Sequence, residues 1–270
     1  MSTSVALIAG EGALPEVMAR AMDRKGISWI AWHLDGHRPT GLDCSRPFRI
    51  EHLATLINRL GSEGADRVCF AGRVARPRLD LAIVDAATAP LIPRLQACVA
   101  SGDDAALRTI VAFFEEAGLA VVSPHDLAPQ LLDVPRVGVP SARDLSDIER
   151  ALGVLEAMGA VDVGQGCVVA GGQVLAMEAL PGTDWMLASL QSGLLPTFAR
   201  PEGGVLLKMP KLGQDRRIDL PTIGPKTIRA AAAAGLGGIA VEAGGVLVLD
   251  AAELEAVARA AGLFVHPIMP

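Results

Sequence analysis

The chain has 270 residues, of which 51% are hydrophobic and 20% charged, and its formal net charge is −6. That length and composition suit one large globular domain or two of ordinary size, each with a buried core. The acidic balance, with only 3% aromatic residues and no tyrosine, argues against a nucleic-acid-binding protein, which needs a basic face and gains from stacking aromatic rings.

Membrane-spanning and secreted proteins are also disfavoured. The longest stretches without a charge, Val163–Met177 and Trp185–Ala199, have 15 residues each and are too short to cross a bilayer. Met1 leads directly into an apolar strand pattern, without a basic region or a small-residue cleavage site. The chain has four scattered cysteines: Cys44, Cys69, Cys98 and Cys167. They form no C-x-x-C pair, so we expect reduced core thiols in the cytosol rather than zinc ligands or disulfides.

The first half alternates short apolar runs with segments of helical periodicity. The predicted strands are Val5–Ala9, Ile27–Leu34, Arg67–Ala71 and Leu119–Val122, and the predicted helices are Leu14–Lys25, Glu51–Ser62 and Asp104–Ala117. Such alternation predicts an α/β fold with a Rossmann-like, mainly parallel sheet and helices on both faces. Proline and glycine are dense in residues 134–140, which suits a linker. We therefore predict an N-terminal domain over residues 1–133 and a C-terminal domain over residues 141–270.

The second half predicts another α/β unit, with a mixed sheet. Its predicted strands are Cys167–Ala170, Gln173–Met177, Gly204–Lys208, Ile239–Glu242, Val246–Leu249 and Leu263–His266, and its helices are Asp144–Met158, one from Asp184, Pro225–Ala234 and Ala251–Ala261. Gly171-Gly172, between the first two of these strands, is a hairpin signal.

A mixed-charge loop follows the strand that ends at Lys208. Between Lys208 and Asp219 the chain carries four cations and two carboxylates, and nearby prolines and glycines keep the loop out of regular structure. Cations clamp phosphate oxygens, while a carboxylate can hold a divalent metal or orient a water molecule. A phosphoryl-transfer site is one interpretation, and a solvated, self-neutralising surface loop is the other.

Gly10-Glu11-Gly12 lies between a predicted strand and a predicted helix. It resembles the first turn of a dinucleotide-binding fold, where backbone amides approach a phosphate at a helix N-terminus. Asp35 follows the second strand, where a ribose-binding acid would lie, but Pro15 replaces the third glycine. A nicotinamide site, a loop facing a substrate phosphate and a purely structural turn all stay open.

Other polar residues follow strands or begin helices. Arg73, Arg76 and Arg78 follow the strand that ends at Ala71, at the edge where open α/β sheets bind ligands. An anion contact or a solvated loop fits this placement. Asp104, Thr183 and Asp184 stand at helix starts, where capping of the helix and contact with phosphate or metal are both open.

Seven segments carry a family resemblance when they are read together. In chain order they are I-A-G-E-G-A-L-P, A-G-R-V-A-R-P, G-D-D-A-A-L-R, D-V-G-Q-G-C-V-V-A, G-T-D-W-M-L, Q-D-R-R-I-D-L-P-T-I-G and A-G-L-G-G-I-A-V-E-A-G. They resemble the UDP-2,3-diacylglucosamine pyrophosphatases of the LpxI type, which act in lipid A biosynthesis. The resemblance covers nearly the whole chain, and R-I-D-L-P-T-I-G is its most specific element.

The resemblance implies hydrolysis of UDP-2,3-diacylglucosamine to UMP and 2,3-diacylglucosamine 1-phosphate (lipid X), with the substrate held between two α/β domains. It also implies a divalent metal, Mg or Mn. Asp219 would be the catalytic carboxylate, Lys208 and Arg217 would clamp phosphate, and Asp219 and Asp184 would hold the metal. The implied substrate-binding residues are Gly10, Gly12, Arg73, Asp104, Gln165, Thr183, Gln214 and Thr222.

The resemblance further implies a cytoplasmic protein, and it leaves room for peripheral contact with the inner membrane and for a homodimer. Two other classes of function stay open. A nicotinamide-dependent oxidoreductase using the Gly10 turn would retain its cofactor, whereas a non-catalytic nucleotide-sugar or lipid-binding module would bind tightly without turnover.

Overall fold

A computed structural model describes residues 4–74, 78–99, 103–191 and 201–269, without the side chains of residues 98, 99, 103 and 104. The chain divides into two compact units, Met1–Pro129 and Gln130–Pro270. Each unit contains its own five-stranded sheet.

The N-terminal unit is built on a parallel sheet, as the sequence predicts. Its strands are β1 (Ser4–Ala9), β2 (Ser28–Leu34), β3 (Arg46–Phe48), β4 (Ala65–Ala71) and β5 (Ala120–Val122). They lie in the order β3-β2-β1-β4-β5, and all neighbours are parallel. The direction of the strand order changes between β1 and β4, which is the kind of position where open α/β sheets bind ligands.

The helices of this unit include two that the sequence pattern missed. The helices are α1 (Leu14–Arg24), α2 (Leu53–Ser62), α3 (Ile92–Val99), α4 (Asp103–Glu116) and α5 (Pro124–Leu127), with 3-10 turns at Ile50–His52, Leu81–Ile83, Ala89–Leu91 and Pro129–Leu132. The missed helices are α3 and α5, and the edge strand β3 was missed as well. β3 is only three residues long and contains Pro47, which an edge strand tolerates but which gives no alternating pattern.

The C-terminal unit has the predicted mixed sheet. Its strands are β6 (Gly166–Ala170), β7 (Gln173–Met177), β8 (Val205–Lys208), β9 (Thr222–Ile223), β10 (Gly238–Glu242), β11 (Leu247–Val248) and β12 (Phe264–Ile268). The main sheet has the order β12-β10-β8-β6-β7, and β9 and β11 form a separate parallel pair. β8, β10 and β12 are parallel, whereas β6 runs antiparallel to both β8 and β7. The predicted hairpin at Gly171-Gly172 is therefore confirmed.

The helices of the C-terminal unit match the predicted positions closely. They are α6 (Ala142–Gly159), α7 (Gly182–Ser189), α8 (Pro225–Ala233) and α9 (Ala251–Ala261). α6 starts earlier than predicted because Ser141 and Asp144 form a reciprocal capping box that closes its first turn. Within the described ranges, no helix is long and apolar enough to cross a bilayer.

Both faces of the central strands in this sheet are buried. Leu206 of β8 packs into an apolar cluster with residues of α7, α8 and α9, while Val205 and Leu207 pack into a second cluster with residues of α6. Residues 205–207 of the strand are all apolar for this reason. Lys208, the last residue of β8, is consequently held by a rigid, buried strand.

Candidate active site

The candidate site lies at the ends of two neighbouring buried strands. β6 and β8 are antiparallel and pair Gly166 with Lys208, so the start of β6 lies beside the end of β8. The Met209 N–H donates to the Gln165 carbonyl at 3.1 Å and extends this pairing by one residue. Strand pairing therefore brings Gln165 beside the start of the mixed-charge loop.

A turn at residues 215–219 of that loop fixes the backbone of Asp219. The Asp215 carbonyl accepts hydrogen bonds from the N–H groups of Ile218 at 3.2 Å and Asp219 at 3.3 Å. Gly213 precedes this turn with a φ of +76°, in the left-handed region that glycine adopts without steric cost. Asp219 thus has a defined backbone position although it lies outside helices and strands.

Two glutamine amides donate to one oxygen of Asp219. Gln165 Nε2 lies 3.3 Å from Asp219 Oδ2, and Gln214 Nε2 donates to the same atom. The Gln214 side chain also accepts a hydrogen bond at Oε1 from the Lys211 N–H at 2.9 Å. Hydrogen bonds to an ionised acceptor are stronger than neutral ones, so the two amides hold the carboxylate in a preferred orientation.

The Lys208 ammonium is buried against a hydroxyl and a carboxylate. Its Nζ donates to Thr183 Oγ1 at 2.6 Å and lies 3.5 Å from Glu178 Oε2. The Lys208 side chain is only 5% exposed, so it needs a nearby partner to offset the loss of hydration. Because Thr183 Oγ1 accepts from Lys208, the hydroxyl proton of Thr183 is directed toward a different acceptor.

Sequence reasoning missed Glu178, and the chain around Gln165 is shaped to fit it. A Cβ on Gly166 would lie 2.7 Å from Glu178 Oε2, and a Cβ on Gly164 would lie 1.9 Å from the Glu178 carbonyl oxygen. Position 164 therefore requires glycine, because a backbone atom blocks a side chain and φ is +56°, whereas at position 166 the blocking atom is the movable end of the Glu178 side chain. The available signal was an acidic residue directly after a strand and five residues before Thr183.

Carboxylates also pair with the other cations of the loop. Arg217 Nη2 lies 2.7 Å from Asp215 Oδ2, and Arg216 Nη2 lies 2.8 Å from Glu242 Oε1. Lys211 pairs with an acidic residue near the end of α6, Asp162. Glu242 is buried on the interior strand β10, so its pairing ties the loop to the sheet. Of these cations, Lys211 is 11% exposed and Arg217 is 41% exposed.

The two predicted site residues at the start of α7 make different contacts. Thr183 meets Lys208, whereas the Asp184 carboxylate accepts from Lys226 Nζ at 2.6 Å and is 63% exposed. Thr222 lies on β9, and its hydroxyl is 3.4 Å from the Leu220 carbonyl oxygen. The metal-binding role of Asp184 and the substrate-binding role of Thr222 stay predictions.

The described residues contain no cluster of side chains that would hold a metal by themselves. Within these ranges, no group of three or more histidine, cysteine, aspartate or glutamate side chains could hold a metal ion. Mg²⁺ often uses one or two carboxylates and completes its octahedron with water and substrate phosphate oxygens. The Asp219 carboxylate is of the ligand type that Mg²⁺ prefers, and its metal-binding role stays a prediction.

In the N-terminal unit, the Gly10 turn is bonded to the turn after β4. Gly10 N–H donates to Ala71 O at 2.7 Å, Glu11 N–H donates to Arg73 O at 2.7 Å, and Arg73 N–H donates to Glu11 O at 2.9 Å. A Cβ on Gly10 would lie 2.5 Å from Arg73 O, so packing alone explains why a glycine is needed at this position. The amides of Gly10 and Glu11 are thus already bonded to carbonyl groups.

The other candidates of this unit remain predictions. Gly12 has a φ of +96° and continues the turn that joins Gly10 to Arg73. Asp104 lies in the first turn of α4, but its side chain falls outside the described residues, as does Arg76.

Burial makes two cysteines unsuitable as nucleophiles. Cys69 and Cys167 are fully buried, and burial raises the pKa of each thiol to about 12. For Cys69 the charge of Asp126 adds to this effect. Neither thiol supplies an appreciable fraction of thiolate near neutral pH.

Comparison with known proteins identifies the family. The family models described as the LpxI N-terminal domain and the LpxI C-terminal domain match residues 4–131 and 132–266. A protein of Caulobacter vibrioides named UDP-2,3-diacylglucosamine pyrophosphatase LpxI is 39% identical over 273 residues, which cover 98% of this chain and 97% of that relative. The resemblance found in the sequence motifs is confirmed. The chain belongs to the LpxI family.

Proposed function

We propose that this protein hydrolyses the pyrophosphate bond of UDP-2,3-diacylglucosamine to UMP and 2,3-diacylglucosamine 1-phosphate. The observation that carries the proposal is the oriented Asp219 carboxylate, held by the Gln165 and Gln214 amides at the edge of the sheet that also presents Lys208. The name of the full-length relative supports the choice of substrate.

Asp219 acts on the water molecule. Pyrophosphate hydrolysis depends on positioning and on neutralising phosphoryl charge more than on a strong nucleophile. Asp219 accepts a hydrogen bond from the attacking water, a new O–P bond forms, and the bridging P–O bond breaks with its electrons on the departing phosphate. The proton of the water passes to the carboxylate and then to solvent.

The two predicted phosphate clamps act in different ways. Arg217 is 41% exposed and oriented by Asp215, so its guanidinium is able to contact a phosphate oxygen directly. Lys208 is 5% exposed and acts through Thr183, whose hydroxyl it orients. The Lys208 charge also contributes positive potential where phosphoryl charge develops.

A divalent metal, Mg or Mn, belongs to the proposal. Asp219 would hold it together with substrate oxygens, with Asp184 as the second predicted ligand. When bound, such an ion neutralises charge on non-bridging phosphate oxygens.

The wider setting comes from the family resemblance. We propose a cytoplasmic protein with peripheral contact at the cytoplasmic face of the inner membrane, and a lipid substrate held between the two domains. Recovery of the protein with inner-membrane vesicles in flotation would support the membrane contact, and complete recovery in the protein-only fraction would contradict it.

Product analysis tests the proposed reaction. Purified protein is incubated with UDP-2,3-diacylglucosamine and Mg²⁺, and UMP and lipid X are measured by mass spectrometry. We expect equal amounts of the two products with multiple turnovers. Tight binding of the substrate without UMP would instead identify a binding module, and retention of NADH with a change in its fluorescence would favour the oxidoreductase.

A further inference from the structure

We infer that Gln214 and Gln165 are positioning residues that hold Asp219, rather than ligands of the substrate. This inference rests on the proposed function, in which Asp219 acts on the hydrolytic water. It replaces the substrate-binding role that the family resemblance implies for both glutamines.

The orientation of the Gln214 amide follows from its neighbours. The Lys211 backbone N–H is only a donor, so the atom of Gln214 that lies 2.9 Å from it must be the carbonyl oxygen. The amide nitrogen therefore faces Asp219 Oδ2, which is an acceptor. Gln214 is only 9% exposed, and both ends of its amide are engaged within the loop.

Gln165 reaches the same carboxylate oxygen from a different element. Its backbone carbonyl is fixed by the Met209 N–H at 3.1 Å, and its side-chain Nε2 lies 3.3 Å from Asp219 Oδ2. The flanking residues Gly164 and Gly166 pack tightly against Glu178, which restricts the backbone on both sides. Gln165 therefore supports the loop from the side of the sheet.

Two donors from separate elements converge on one oxygen, and this convergence fixes the rotation of the Asp219 carboxylate. Gln214 lies on the same loop as Asp219, so by itself it would fix Asp219 relative to the loop but not relative to the sheet. The contact with Gln165 fixes the position of the loop relative to β6 and β8, which are fully buried strands. A reacting group needs such support, because small errors in its position cost large factors in rate.

The variant Gln214→Glu separates three roles of Gln214. It keeps the size of the side chain and the oxygen that accepts from Lys211 N–H, but it places an acceptor against Asp219. For a positioning role we expect kcat to fall by about 10- to 100-fold, the range known for outer-shell partners of metal-ligating side chains. We expect KM to change by less than about threefold, because the lost interaction is not with the substrate.

Two other results would overturn the inference. If Gln214 only closes the loop, Gln214→Glu keeps near wild-type kcat while Gln214→Ala loses activity. If Gln214 contacts the substrate, KM rises and accounts for most of the loss in kcat/KM. The matched control is Gln173→Glu, at the start of β7, which makes the same change of charge at an exposed position and should leave both constants unchanged.

A thermal stability cycle tests the contact without using activity. We expect Gln214→Glu to lower Tm, and the double variant Gln214→Glu with Asp219→Asn to lose less than the sum of the two single variants. In the double variant the amide and the carboxylate exchange sides, so the new amide at position 219 donates to the new carboxylate at position 214. Gln165 donates to the same oxygen of Asp219 in the wild type, so its amide must turn its own oxygen toward the new NH2 group. Losses that simply add in the double variant would show that the two side chains do not interact, and the inference would be wrong.

The two failures are distinguishable. Wild-type protein that releases no UMP contradicts the proposed function, and the positioning role falls with it. Active wild-type protein, combined with an active Gln214→Glu variant or an additive stability cycle, contradicts only the inference.

Discussion

Glu178 and Lys208 form a buried ion pair at the end of β8, with 3.5 Å between carboxylate oxygen and ammonium nitrogen. Glu178 Oε2 is buried and has no hydrogen-bond donor within the described part of the chain. Lys208 is therefore the paired cation of Glu178, and Glu178 and Thr183 are the polar partners of the Lys208 ammonium. Removal of one partner from such a pair leaves an uncompensated buried charge.

We accordingly expect Glu178→Gln to reduce the free energy of unfolding by about 3 kcal/mol, the lower end of the cost of breaking a buried pair. Urea denaturation measures this change. The control is Glu253→Gln, whose carboxylate pairs with Arg229 while both side chains are more than half exposed, and which should cost about 0 to 1 kcal/mol. Equal losses in the two variants would show that the Glu178 pair is no more than a surface contact.

Replacement of Arg217 tests the exposed phosphate clamp. We expect Arg217→Ala to lower kcat/KM by about 10²- to 10³-fold, because a cation aimed at developing phosphoryl charge stabilises the transition state most. Steady-state release of UMP gives this value. Arg229→Ala, on α8 of the same unit and also exposed, is the control. If kcat/KM of Arg217→Ala lies within twofold of the wild-type value, Arg217 is not the phosphate clamp, and other groups neutralise the phosphoryl charge.

The elements of the fold follow from strong local patterns. β6, β8 and β10 are apolar at every core position because helices cover both faces of their sheet, and this produces the continuous runs that the sequence reveals. β3 escapes detection because its pairing with β2 is a tertiary contact without a local signal. The start of α6 is set by the Ser141–Asp144 capping box, which extends the helix beyond its apolar periodicity.

The candidate site was only partly predictable. The charged loop and Asp219 stand out in the sequence, and the family resemblance names Gln165 and Gln214 as substrate-binding residues, but the contacts of these glutamines with Asp219 were not predicted. Gln165 and Asp219 are separated by 54 positions and meet only because β6 and β8 are neighbours. Likewise, composition identifies the cation Arg216, whereas its pairing with Glu242 depends on where β10 lies in the sheet.

Metal removal tests the proposed cofactor. Treatment with EDTA should abolish release of UMP, and added Mg²⁺ or Mn²⁺ should restore it, because the phosphoryl charge then has its counterion again. Asp184→Asn should raise the metal concentration needed for half-maximal activity if Asp184 is a ligand. Full activity of the chelated protein would contradict the metal proposal. The cations of the loop would then be the groups that neutralise the phosphate charge.

Thiol labelling tests the burial of the cysteines. At pH 8 we expect Cys44 to react with a thiol reagent, because it is exposed, whereas Cys69 and Cys167 should react only after denaturation. Burial raises the pKa of each of these two thiols to about 12, so little reactive thiolate forms. A Cys98→Ser background restricts the assay to these three thiols. Rapid labelling of Cys69 or Cys167 in the native protein would contradict the described core.

The rate of UMP release by Asp219→Asn tests the central claim most directly. The substitution keeps the shape of the side chain but removes its charge, and we expect a kcat lower by about 10²- to 10⁴-fold, with the fold retained by circular dichroism. Asp43→Asn, at a side chain that is 96% exposed, should turn over at the wild-type rate. An Asp219→Asn enzyme that releases UMP within a factor of about three of wild type would contradict the claim that this carboxylate acts on the hydrolytic water.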